Sequence, residues 1–185
     1  MTDRERRPLD RTGNLLGALS LAITDRTSAA AGESLGQSES AAVALSALYH
    51  FLDQPSVDLL RQVLGLTPSG TVRLIDRLEA AGYVTRRPGA DARSVALRLT
   101  ASGRRAAKRV SAARADVLRD ALSGLAPEER KVLDQLISRV LTGMIRPPGA
   151  VRWTCRLCDT TACGRDTGDC PVANRARELY ASASD

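Results

Sequence analysis

Apolar residues along the chain recur mostly at three- and four-residue spacing, the period of a helix with one buried face. Leu15, Leu16, Leu19 and Ile23 make the first stripe. Asp25 to Gln37 is rich in Ser, Ala and Gly and reads as a flexible connection. Ser38-Glu39-Ser40 opens a second helix that buries Val43, Leu45, Leu48 and Phe51, and Asp53-Gln54-Pro55 breaks it. Ser56 then caps a short helix through Leu59, Leu60 and Val63 that ends at Gly65. Thr67 caps the next helix with its hydroxyl, and Pro68 suits a first turn whose N–H has no partner anyway. Its apolar face is read as Val72, Leu74, Ile75 and Leu78, which leaves Ser69, Thr71, Arg73 and Arg77 to the other faces. Gly82 closes it with the positive φ a helix end needs.

Only after Gly82 does the pattern change. Tyr83–Arg87 and Ser94–Leu99 are β-prone runs on either side of Pro88-Gly89-Ala90-Asp91, a turn signal, so they pair as a hairpin. Helical periodicity returns from Ala101 to about Leu122, where Gly124 stops it. Ala126-Pro127-Glu128-Glu129 opens another helix with acidic residues at its N-terminal dipole. Val132, Leu133, Leu136, Ile137, Val140 and Leu141 give that helix a wide apolar stripe, more than it can bury alone. Met144 to Gly149 ends it, and Pro171 starts a short closing helix over Val172–Ala181. The first residues, Met1 to about Asp10, are charged and without period and read as a frayed arm.

Charge sharpens the picture. Residues 61–114 carry twelve basic groups against three acidic ones, a net +9, which exceeds the +6 of all 185 residues. Basic charge gathered on a helix and its following hairpin is the footprint of a polyanion partner. A short helix, an exposed helix and a basic hairpin make a winged helix-turn-helix, with Gly65 and Leu66 in the turn. Ser69, Thr71, Arg73 and Arg77 are then the candidates for the major groove, and Arg87 and Arg93 for the wing's contact with the minor groove. Asp91 is read as orienting a neighbouring arginine.

GTVRLIDRLEAAGYVTRR, the Asp91-Ala92-Arg93 of the wing, and Leu97-Arg98-Leu99-Thr100-Ala101-Ser102-Gly103 together resemble the MarR family of transcriptional regulators. The resemblance runs from about Leu35 to about Leu141. It implies a homodimer on a pseudo-palindromic double-stranded DNA operator, N- and C-terminal helices that interlock two subunits, and repression relieved by a small-molecule or redox effector. The fold expected is mainly α (α+β). Residues 1–37 form the arm and a dimerisation helix, 38–100 the winged helix-turn-helix, 101–146 further dimerisation helices, and 147–185 a cysteine-rich tail that the family does not usually carry.

That tail holds every cysteine of the chain. Cys155, Cys158, Cys163 and Cys170 are spaced C-x2-C-x4-C-x6-C. A C-x2-C pair points both sulfurs at one ion, and two more thiolates complete a tetrahedron. Zinc is the first choice of cofactor, because a segment this short cannot bury enough apolar surface to hold itself. An iron–sulfur cluster is the alternative, suggested by Cys170-Pro171, and a metal-free thiol switch is the third. Cys163-Gly164 suits a tight turn whose backbone N–H groups face sulfur. The tail's own charge is balanced, so it is not a second nucleic-acid finger.

The remaining composition narrows the class. Twenty-five of the 27 basic side chains are arginines; only Lys108 and Lys131 are lysines. No apolar run reaches membrane-spanning length, and MTDRERRPLD lacks a signal peptide's apolar segment, so a cytoplasmic location without a membrane partner is expected. One histidine, His50, lies in a helical run and reads as packed rather than ligating. With no nucleophile–base constellation, Gly-rich phosphate loop or paired carboxylates, an enzyme is not expected. A metal-storage or electron-transfer role would leave the basic winged unit unexplained.

Overall fold

The computed structural model describes residues 10–89, 94–145 and 153–181. The expected frayed arm therefore lies almost wholly outside the described residues, as do Asp91 and Arg93 of the wing.

Helix α2 (Glu39–His50) is the centre of the body. Ala41, Ala42, Ala44, Leu45 and Ala47 are all but inaccessible, so the helix is buried nearly all round. Small side chains make this feasible, because alanine lets neighbouring helices approach without a cavity. α1 (Arg11–Leu35) and α5 (Ala101–Ala121) pack along each other and both lean on α2. The stretch read as a flexible connection, Asp25–Gln37, is instead the second half of α1, which runs unbroken to Leu35 and ends at Gly36 with φ 62°. Thr27, Ala31 and Leu35 are its buried residues, and alanine has the best intrinsic helix propensity. Composition alone masked a helix whose contact face is made of small residues.

α3 (Val57–Leu64) and α4 (Pro68–Ala80) follow, joined through Gly65 at φ 64°. Ser56 and Thr67 cap them as expected, accepting from the N–H groups of Leu59 and Gly70 at 3.1 Å each. β1 (Val84–Pro88) and β2 (Val95–Leu99) form the antiparallel hairpin, with Val84 opposite Leu99 and Arg87 opposite Ala96. The Leu97 N–H also donates to the Pro55 carbonyl at 3.0 Å, which ties the hairpin to the segment between α2 and α3.

The hairpin passes into α5 at a crowded corner. Thr100 caps α5, accepting from the Gly103 N–H at 2.9 Å, while its hydroxyl donates to the Gly82 carbonyl at 2.6 Å. A Cβ on Gly103 would lie 1.9 Å from the Tyr83 carbonyl oxygen. That approach is why the L-x-L-T-x-x-G segment needs glycine there.

α6 (Pro127–Met144) stands apart from this body. It buries no residue of its own, and Val132, Leu136, Ile137 and Val140 are each about half exposed. Leu15, Leu16, Leu19 and Leu21 of α1 are at least as open. The stripe on α6 is thus not an intrachain core. Its C-terminal end meets α7 (Pro171–Ala181), where Ile145, Val172 and Ala173 enclose a second small core together with Cys155 and Cys170. No helix among the described residues is long and apolar enough to cross a membrane.

Candidate nucleic-acid interface and thiol site

α4 lays one face on the core and turns the other outward. Thr71, Leu74, Ile75 and Leu78 are the buried set, at i, i+3, i+4 and i+7. This corrects the expected face in two places. Thr71, expected at DNA, is 0% exposed, and its hydroxyl donates to the Thr67 carbonyl at 2.9 Å. Val72, expected in the core, is 47% exposed. Threonine's methyl fills the core position while its hydroxyl is satisfied one turn back, so polarity was a poor guide there. The outward face is Ser69, Val72, Arg73, Asp76 and Arg77. Gly70, Arg73, Asp76 and Arg77 line an open groove along it.

The charges on this face fall into two groups. Arg86 of β1 bridges to Asp76 at 2.5 Å and to Glu79, and its backbone N–H also donates to Glu79. One arginine thus takes up both acids of α4 and fastens the hairpin to the helix. Arg73 curls back over its own first turn, with Nε 3.3 Å from the Ser69 carbonyl. Arg77 and Arg87 are exposed. With its acids occupied by Arg86, the outer surface of α4 and β1 is left positive. Ser69, Arg73 and Arg77 therefore stand together on the outward face of α4, and Arg87 is exposed on β1.

The cysteines gather as their spacing suggested. Cys155 and Cys170 are buried, and Cys158 and Cys163 pack against the same small core. The Cys155 thiol is hydrogen-bonded to Cys158, which pushes Cys155 far up, with burial adding to the effect. The same bond brings Cys158 down to about 6, against its burial and with help from Arg114 and Arg165. Burial raises Cys163, the nearby Arg165 backbone amide opposes this, and the Cys163 thiol donates to the Thr160 carbonyl at 3.5 Å. Gly164 sits at φ 70° in a tight turn, where the Gly164 and Arg165 N–H groups donate to the Thr161 and Thr160 carbonyls at 3.3 and 3.1 Å. All four are free thiols. Among the described residues, no three His, Cys, Asp or Glu side chains already converge as a metal would hold them.

The tail packs against two parts of the chain. It meets the end of α6, but it also docks on the winged-helix body. Trp153 lies against Gly65, where an added Cβ would be 2.3 Å from its ring, and Arg156 covers that ring at 4.1 Å. Leu157 packs against the main core. The Thr160 hydroxyl donates to the His50 carbonyl at 3.3 Å, and Asp159 lies 3.9 Å from His50 Nδ1. His50 is packed, as expected, with Nε2 2.8 Å from Ser111 Oγ. Sequence periodicity could not have found the Trp153 contact; the hint was a lone tryptophan two residues before the first cysteine.

A capped helix-turn-helix followed by a hairpin bound to its second helix defines a winged-helix protein. Residues 35–94 match the model of the MarR family, which bears out the resemblance over the recognition helix and the first half of the hairpin. A search of curated proteins returned no match. Among solved structures, the transcriptional regulator PA3341 is 28% identical, with TM-score 0.58, covering 72% of this chain and 97% of its own. The Mycobacterium tuberculosis MarR family protein RV2887 is 25% identical, with TM-score 0.57, covering 70% and 93%. MepR of Staphylococcus aureus in its DNA complex shares the fold at 19% identity, with TM-score 0.57, covering 73% and 99%. The four cysteines all lie beyond the residues the family model matches.

Proposed function

We propose that the chain is a dimeric transcriptional regulator that binds a pseudo-palindromic operator and represses by occupying it. The observation that carries this reading is the outward face of α4. A helix anchored by four core residues presents Ser69, Val72, Arg73 and Arg77, and the hairpin that follows exposes Arg87. Neutral and cationic groups on such a face can donate to guanine and phosphate, and the exposed Val72 can meet a thymine methyl. MepR, which has the same fold, has been solved in complex with DNA, which supports a DNA partner for this chain.

A second copy of the chain covers the apolar faces of α1 and α6. An α4 helix in each of two subunits then meets half-sites about one helical turn apart, roughly 34 Å. Arg93, six residues after Arg87 in the sequence, is the second arginine assigned to the backbone of the adjacent minor groove. Occlusion of a promoter needs no further domain, which is why repression is the direction proposed.

The test is selection of bound fragments from random duplex DNA, followed by titration of the selected site at several salt concentrations. A two-fold symmetric site, affinity falling steeply with salt, and loss of roughly 1–3 kcal/mol of discrimination in Arg77→Ala are expected. Recovery of no enriched site would refute the reading.

A further inference from the structure

Cysteine and docking residues alternate along one segment. Trp153 precedes Cys155, Arg156 and Leu157 lie between Cys155 and Cys158, and Asp159 and Thr160 follow directly. Every one of those intervening residues touches the body or the Trp153 ring. The four thiols pack against one small core, with Cys155 paired to Cys158 and Cys163 to Cys170, though no three of them yet converge as a metal would hold them. Arg165 is near both Cys155 and Cys158, and Arg114, from α5 of the body, is near Cys158.

We propose that Cys155, Cys158, Cys163 and Cys170 bind one zinc ion as a four-thiolate centre, and that loading it seats Trp153 on the α3–α4 turn and so raises operator affinity. The coupling half of this rests on the DNA-binding reading; the zinc half does not. Four Zn–S bonds form, and the protons of the thiols are released to solvent. Four thiolates and one dication leave a net charge of −2, which Arg165 and Arg114 are placed to offset. A single ion suits the pairing of the sulfurs. Ligands of one tetrahedral zinc stand ~3.8 Å apart, given Zn–S bonds of about 2.3 Å, so loading draws the two thiol pairs together onto one ion.

The mechanical link is short. Gly65 ends α3 and stands two residues before Thr67, the cap of α4. Its left-handed backbone leaves room for the Trp153 ring, which no side chain at position 65 would allow. A ring held there restrains the turn that sets the angle of α4. Arg114, drawn to the charged centre, adds a second tie between the module and the body.

Trp153 is the chain's sole tryptophan, so its fluorescence reports the contact directly. The experiment uses the full chain, stripped with a chelator under reducing, anaerobic conditions and then titrated with zinc alone. Metal content, Trp153 emission and affinity for the selected DNA site are followed together. One zinc per chain, an emission change that saturates at that ratio, and about tenfold tighter DNA binding are expected, a coupling of about 1.4 kcal/mol. Trp153→Ala should still take one zinc but show operator affinity indifferent to it. Failure to bind zinc, or a brown protein carrying iron and sulfide, overturns the assignment of the centre. Zinc binding with unchanged emission, or zinc-dependent affinity that survives in Trp153→Ala, overturns the coupling. If zinc and emission behave as stated while no DNA is bound in either state, it is the DNA-binding reading that has failed.

Discussion

Two neighbouring residues on α4 exchange the roles their chemistry suggests. Thr71 is buried and Val72 is exposed, because the register of Leu74, Ile75 and Leu78 leaves no other choice. Thr71→Val keeps the shape of the core and removes one satisfied hydroxyl, so stability should change by no more than about 1 kcal/mol and sequence preference should stay as it is. Val72→Ala should leave stability nearly untouched yet shift the preferred bases of the operator. Chemical denaturation and a base-substitution binding series on both variants check this; altered base preference in Thr71→Val would return that residue to the DNA face. A second residue-level prediction concerns His50. Burial is the largest influence on it and lowers its pKa; Asp159 pulls it back up and Arg114 pushes it down. A histidine whose folded pKa lies below its unfolded value of about 6.5 favours the folded state above that pH and loses that support as pH falls toward the folded value. Wild type should therefore lose stability between pH 7 and pH 5, and His50→Gln should lose less. Parallel urea melts at the two pH values measure the difference; equal slopes would mean that His50 is not held neutral by the fold.

Whole elements depend on how closely they approach. The passage from hairpin to α5 is built on the contact of Gly103 with the Tyr83 carbonyl. In a free helix, alanine is preferred to glycine by roughly 1 kcal/mol. Here Gly103→Ala should instead destabilise by roughly 1–3 kcal/mol, since α5 must move off the hairpin. A thermal melt at or above the wild-type midpoint would show that the corner is looser than described. Legibility from the sequence follows the same lines. Caps, glycine exits and the hairpin were readable because each depends on one or two residues with local roles: Ser56, Thr67, Gly65 and Gly82. The second half of α1 was not, since its contact face of Thr27, Ala31 and Leu35 carries little hydrophobic signal, and small size matters there rather than apolarity. At the candidate site the spacing of the cysteines announced their gathering in space. The apposition of Trp153 and Gly65 joins distant parts of the chain and leaves no periodic trace, and Thr71 was misplaced by weighing polarity above register.

On the scale of the molecule, two helices at opposite ends of the chain carry apolar faces that its own core does not use. Leu125, Val132, Leu133 and Leu136 line a groove on α6, with Glu128 and Glu129 at its edge. A charge placed there has to be desolvated if a second copy covers it. Leu136→Glu should therefore convert a dimer to monomers at micromolar concentration, as read by light scattering, and should weaken binding to a full operator far more than to one half-site. Unchanged mass would locate the subunit contact elsewhere. The meeting of Trp153 with Gly65 has a consequence for the order in which the molecule is made. Domains generally fold as they leave the ribosome, N-terminal parts first, and contacts between distant positions must close a long loop before they form. The turn ahead of α4 thus acquires its cover only after the whole winged helix and both following helices have been synthesised. A nascent chain interrupted upstream of Trp153 would display the whole outward face of α4, but not the ring that rests on the turn ahead of it.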